Sequence, residues 1–216
     1  MIADAGGKVL ASAAELLAEV RSTDKPLHPH GRLRTGRLER LGNPEPVGVP
    51  WLDRTGTDEV LARTSRAIGL PSPLPDIHGL AVRVPVDDEY ADLLFATTAW
   101  NRVGRHVLVP TMGAGPSLTT LLPYRTAAGP VVIGARQSGS SYDLSWATVG
   151  GGWHRFAELR LSEPAAPDAV VSFDPVLNRP PGLTPYAWVT ALRERAYATA
   201  RAHRRVRDGR PGDRAS

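Results

Sequence analysis

The residues with the most chemical promise are Arg193, Tyr197 and Arg204. The stretch 185–207, PYAWVTALRERAYATARAHRRVR, opens on proline and is rich in alanine, leucine and arginine. Its pattern predicts a helix of about 20 residues. At about 100° per residue, Tyr197 lies about 40° and Arg204 about 20° round from Arg193, so the three share one face. One turn separates Arg193 from Tyr197, which lets the guanidinium reach the phenol oxygen and favour the phenolate. A phenolate is a hard ligand for ferric iron, and tyrosinate is one of the axial ligands that haem accepts. Arg204 follows about 10 Å along the same face, the reach to a haem propionate. The same spacing also describes a surface helix of solvated arginines with one amphipathic tyrosine, and spacing leaves both readings open.

The elements that must position such a site follow from composition and periodicity. The chain has 216 residues, 42% hydrophobic and 22% charged, as expected of one globular domain with its own core. With no cysteine, disulfides, thiolate metal sites, iron–sulfur clusters and cysteine nucleophiles are excluded. Glycine (21) and proline (20) are frequent enough to argue for many turns and short elements rather than a helical bundle. Residues 8–21 place Val9, Leu10, Ala13, Leu16, Leu17 and Val20 on one helical face, and the proline-broken STDKPLHPHG ends that helix. Strands are expected at 32–38, 59–65, 80–86, 93–98, 130–136, 142–149, 153–161 and 169–173, which suggests an antiparallel barrel or sandwich. The polar tail 208–216 is expected to be disordered.

Other classes find little support. The net charge of +4 gathers in arginines at 32–40 and 193–210. No zinc-finger spacing or RNA-binding aromatic signature accompanies them, and no nucleic-acid partner is expected. There is no phosphate loop and no nucleophile elbow, so the glycines of 113–117 and 150–152 read as turn residues. No apolar run nears the length of a membrane span and no secretory leader is visible, which points to a cytoplasmic protein without a membrane partner.

Residues 173–204 resemble the segment of haem catalases that holds the proximal tyrosine. The family pattern is Phe-Asp-Pro, then Pro-Pro-Gly, then Arg-x-x-x-Tyr with an arginine seven residues on. Here these are Phe173-Asp174-Pro175, Pro180-Pro181-Gly182, Arg193, Tyr197 and Arg204, with His203 matching the histidine before that arginine. Ala198-Thr199 depart from the family's Pro-Asp. Further marks stand in order along the chain. Leu27-His28-Pro29-His30-Gly31 is similar to the distal-histidine segment, and Lys25 takes the place of a propionate-binding arginine. Arg63-Thr64-Ser65 resembles Arg-Phe-Ser, Asp76–Val84 resembles the Asp-Pro-Arg-Gly-Phe-Ala-Val-Lys-Phe strand, and Asp92-Leu93-Leu94 resembles Asp-Leu-Val.

The resemblance implies an α+β fold: a catalase-type antiparallel β-barrel over residues 1–207, an N-terminal helix, and a C-terminal helix with the proximal haem ligand. It implies ferric haem b, with Tyr197 as iron ligand and Arg193 beside it. Lys25, Arg63 and Arg204 would hold the propionates. His28 would be the distal acid/base, supported by Ser65. Where catalases have the distal asparagine, this chain has Ala96, Thr97 and Thr98, with no amide to orient peroxide. The chain is also far shorter than a catalase. The expected activity is therefore a peroxidase or hydroperoxide-converting reaction on peroxide and a small organic substrate, with weak catalase activity at most. A haem carrier, a gas or peroxide sensor, and a haem-free binding domain are the alternatives, and a homodimer is left open. Taken alone, His28 also reads as a loop histidine, or as part of a His28-x-His30 metal site completed by His78, His106 or His154. Trp51, Trp100, Trp146, Trp153 and Trp188 read as core or interface residues.

Overall fold

The computed structural model describes residues 31–66, 75–87, 89–112, 115–164 and 171–190. The helix expected at 8–21, most of the one expected at 185–207, and the tail fall outside them.

Among the described residues, ten strands join one sheet: β1 (Arg32–Leu41), β2 (Thr55–Arg66), β3 (His78–Val86), β4 (Glu89–Thr97), β5 (Ser117–Thr119), β6 (Tyr124–Thr126), β7 (Gly129–Ser138), β8 (Ser141–Thr148), β9 (His154–Pro164) and β10 (Thr184–Pro185). Eight of them close into an antiparallel barrel in the order β7-β5-β4-β3-β2-β1-β9-β8, with β8 pairing back to β7. β6 branches from β7 and carries β10. Period-two alternation sorts the side chains. Leu38, Ala62, Val82, Leu93, Ile133 and Leu159 point inward and are fully buried in the core. A bulge where β9 crosses β8, between Leu144 and Ser145, lets the consecutive Phe156 and Ala157 both enter that core.

One end of the barrel is plugged. A single helical turn, α1 (Pro50–Asp53), starts on proline and buries Trp51 and Leu52. Trp51 meets Phe156 edge to face at 5.6 Å. The Asp53 carboxylate fixes this plug by accepting the Val47 and Val49 N–H groups, each at 2.9 Å.

The main strand expectations hold, usually with longer bounds. Two differ. Residues 171–173, expected as part of a strand over 169–173, are outside the sheet, where the Arg83 side chain takes the Ser172 carbonyl. Pro185 belongs to β10, and the helix after it begins at Ala187, where Thr190 N–H donates to the Tyr186 carbonyl at 3.0 Å.

Candidate functional site

Because Val60 and Ala62 face the core, Arg63 and Ser65 alternate with them, and the outer wall of β2 receives both. Strand register sets their neighbours. Leu33, Arg63, Ala81 and Leu94 form one cross-strand row over β1–β4, and Ser65, Gly79 and Ala96 form the next. All seven are half-buried. Near the Ser65 end this wall has almost no relief, since Gly79, Ala81 and Ala96 project no further than a methyl group. Arg63 is the cation beside that flat ground. Burial pushes its guanidinium pKa down. A Cβ on Gly31 would overlap the Arg63 guanidinium, so the backbone three residues after His28 lies against Arg63.

The next row has a buried clasp. The fully buried Asp92 carboxylate accepts Arg83 Nε at 2.7 Å and Nη2 at 2.8 Å. It also accepts the Asp174 N–H and the Asn178 amide, each at 2.8 Å. Arg83 donates further to the Ser172 carbonyl at 2.7 Å and lies between the Tyr90 and Phe173 rings, 3.9 and 5.1 Å from their centroids. The hydrogen bond to Asp92 is the main cause that raises the Arg83 pKa. The Phe173-Asp174-Pro175 motif is therefore locked to the outer wall of β3–β4, beside the small-residue ground. Sequence reasoning quoted Arg83 and Asp92 without giving them this role. Opposite charges three residues in from the facing ends of a hairpin were the available signal.

A second contact brings the C-terminal helix start to the same wall. Val189 and Tyr186 pack with Leu121, Leu122, Leu108 and Ala96. Leu121 adopts φ 60°, a conformation that costs a non-glycine residue about 1–3 kcal/mol. The Thr119 hydroxyl accepts its N–H at 3.1 Å, and its carbonyl lies 2.7 Å from His106 Nδ1. A carbonyl only accepts, so Nδ1 bears the proton and buried Nε2 stays neutral; burial, the leading cause, holds His106 below the ordinary imidazole pKa.

Of the expected site residues, Arg63 and Ser65 are brought together on this wall. Lys25, His28, Arg193, Tyr197 and Arg204 lie outside the described residues. His30 also lies outside the described residues; of the histidines that could complete a metal site with it and His28, His78 starts β3 on its inward face, His106 bonds Leu121, and His154 stacks on Trp146 at 4.4 Å. Among the described residues no group of three metal-ligating side chains occurs. Trp51 and Trp146 are core residues, whereas Trp100 and Trp153 stack on each other at 4.1 Å and Trp188 is exposed.

This eight-stranded antiparallel barrel has solved counterparts. Catalase A from Saccharomyces cerevisiae superposes with a TM-score of 0.61, a bacterial catalase with 0.57 and a fungal catalase with 0.59. The fold is catalase-like. Each is 12% identical to this chain and matches 88% of it. The chain spans about three-fifths of their length: 63%, 59% and 61% respectively. No family model and no curated protein sequence matches it. Among the described residues of this catalase-like chain, no helix is long and apolar enough to cross a membrane.

Proposed function

We propose that the outer wall of β2–β4 is one side of a haem pocket, and that the protein uses peroxide to oxidise or convert a small organic molecule. The observation that carries this reading is the wall itself: the small side chains of Gly79, Ala81 and Ala96, bordered by Leu94 and Leu33, with the half-buried cation Arg63 alongside. A flat, apolar, doubly anionic group suits such ground, because apolar surface meets its face and a guanidinium meets a carboxylate. The catalase-like fold supports the same choice, as does the packing of Tyr186 and Val189, which precede Tyr197 in the chain, in the cluster that includes Ala96.

Tyr197 would hold the iron as phenolate, kept deprotonated by Arg193. Arg63, Arg204 and Lys25 would hold the propionates. Bound haem supplies the redox iron at which peroxide is reduced. His28 would take a proton from the peroxide oxygen and return it to the departing one, with Ser65 holding the ring in place. Ala96 offers no amide to orient a second peroxide, which favours an organic donor over disproportionation.

Haem titration of the native chain and Tyr197→Phe tests the cofactor assignment. The native protein should give a ferric spectrum that the variant loses. An unchanged spectrum in Tyr197→Phe removes the axial role. Stopped-flow mixing with hydrogen peroxide and an alkyl hydroperoxide tests His28. His28→Ala should slow peroxide consumption by about 10²–10⁴, the usual worth of a positioned acid/base, with ferric haem still bound. No turnover of any donor by the native haem protein would favour a haem carrier.

A further inference from the structure

The barrel has a second concave feature, on the other side of the sheet from Arg63 and Ser65. α1 plugs one end; the opposite end opens into a cavity of about 550 Å³ lined by Arg34, Thr64, Gln137, Ser140, Tyr142 and Leu161, together with Ser162. That volume lies within the usual range of small-molecule sites. Parity fixes the wall: Arg34 follows Leu38 and Gly36 inward, Thr64 follows Ala62, Gln137 follows Ala135, and Leu161 follows Leu159. Thr64 faces this cavity while its neighbours Arg63 and Ser65 face the outer wall, so one layer of sheet separates the two places.

The chemistry of the lining selects a ligand class. Arg34 is the charged group and none of the lining residues is acidic. Its Nη1 donates to the Ser162 carbonyl at 3.3 Å, one of five N–H donors, and among the described residues it enters no ion pair with a carboxylate. The Tyr142 phenol stands opposite Gln137 in the strand register. Burial pushes its pKa up against the opposing pull of Arg34, so at neutral pH it is a hydroxyl donor. The Tyr142 ring and Leu161 pack against the core and give the cavity an apolar flank. A single forked cation, a phenol donor and an apolar flank match a carboxylate on a hydrocarbon body, since a guanidinium meets a carboxylate through two parallel hydrogen bonds.

We propose that the open end of the barrel binds a small organic monocarboxylate, with Arg34 on the carboxylate, Tyr142 donating to it and Leu161 against the hydrocarbon part. The site is independent of the proposed haem pocket.

Calorimetric titration of the full chain with benzoate and hexanoate, and with benzamide and hexanamide, tests this. The carboxylates should bind and the amides should bind at least about tenfold more weakly. Arg34→Gln should lose at least about tenfold, Arg34→Lys should fall between, and Tyr142→Phe should lose about three- to tenfold. An unchanged melting temperature in these variants shows that the fold is kept. Tyr197→Phe should bind the carboxylates like the native chain, which separates this site from any ligand at the iron. The proposal is overturned by no binding at about 10 mM carboxylate, by equal binding of acid and amide, by unaltered affinity in Arg34→Gln, or by loss of binding in Tyr197→Phe with Arg34→Gln unaffected.

Discussion

The two halves of the barrel's outer wall are finished in opposite ways. On β7 and β8, the chain covers itself. The Trp100–Trp153 stack lies on Gly134, where a Cβ would come within 2.8 Å of both indoles. Arg105, almost fully buried, sets its guanidinium 4.5 Å above Trp153 and donates to the Gly151 carbonyl at 2.9 Å. Beneath them Val132 and Ala147 have no exposed surface. On β2–β4, Gly79, Ala81 and Ala96 are likewise small, yet they stay half-buried, with Tyr186 and Val189 in the cluster at the Ala96 end. A small residue in a strand signals close approach of another group. On one half that group is the protein's own pair of indoles; on the other it is the haem proposed above.

The largest expected effect tests the border of the open half. Asp92→Ala leaves the Arg83 guanidinium, the Asp174 N–H and the Asn178 amide without their shared acceptor. It should destabilise the fold by about 3–5 kcal/mol in denaturant unfolding, the range for breaking one side of a buried charged pair. A loss below about 1 kcal/mol would show that the clasp is relaxed in solution.

Matched additions test the contrast directly. Gly134→Ala drives a methyl into the indole stack and should cost about 1–3 kcal/mol. Ala81→Val adds two methyls to the open half and should cost less than about 0.5 kcal/mol while weakening haem uptake. Equal costs at the two positions would erase the distinction between the halves.

A pH series sharpens it further. His106 supports the Leu121–Leu122 shelf under the helix start, and its pKa is lowered chiefly by burial, opposed by the Leu121 carbonyl and assisted by Arg105. His78 is lowered too, by burial and Arg66 against Asp76. A lowered folded value means that the unfolded chain takes up protons first. Their contribution is complete above the ordinary imidazole value near 6.5 and is lost as pH falls through the lowered folded value. The slope should not exceed about 1.4 kcal/mol per pH unit for each histidine, and His106→Gln should flatten it. A stability that rises on acidification from pH 7 would contradict the buried neutral state. At the small end, Arg37→Ala removes a 4.0 Å pair with Glu59 on well-exposed side chains and should change stability by less than about 0.5 kcal/mol.

Much of the barrel was legible because its long strands either alternate, as in β3, or hold an apolar run buried on both faces, as in β7. The three-residue β5 and β6 were not, since so short a run has no period to read, and the single turn of α1 has the same difficulty. The 171–173 segment misled for a physical reason. Its composition suits a strand, but the Arg83 side chain takes the Ser172 carbonyl and Asp92 takes the Asp174 N–H where a strand would find a ladder. At the site, the positions of Arg63 and Ser65 on one face followed from alternation. The Arg83–Asp92 clasp depended on register between β3 and β4, and the Arg34–Tyr142 cavity on strands far apart in sequence.

The seam between β1 and β9 bears on how the barrel forms. Arg34 and Ser162, joined across it by a hydrogen bond, are 128 residues apart in the chain. During synthesis, the first strand of the barrel must wait for the last, with one edge unsealed, until residue 164 has left the ribosome. Such distant pairing slows folding and leaves a growing chain with a sticky edge at 32–41. Arg32, Arg34, Arg37 and Arg40 lie along that edge, and like charges of this density repel a second nascent copy.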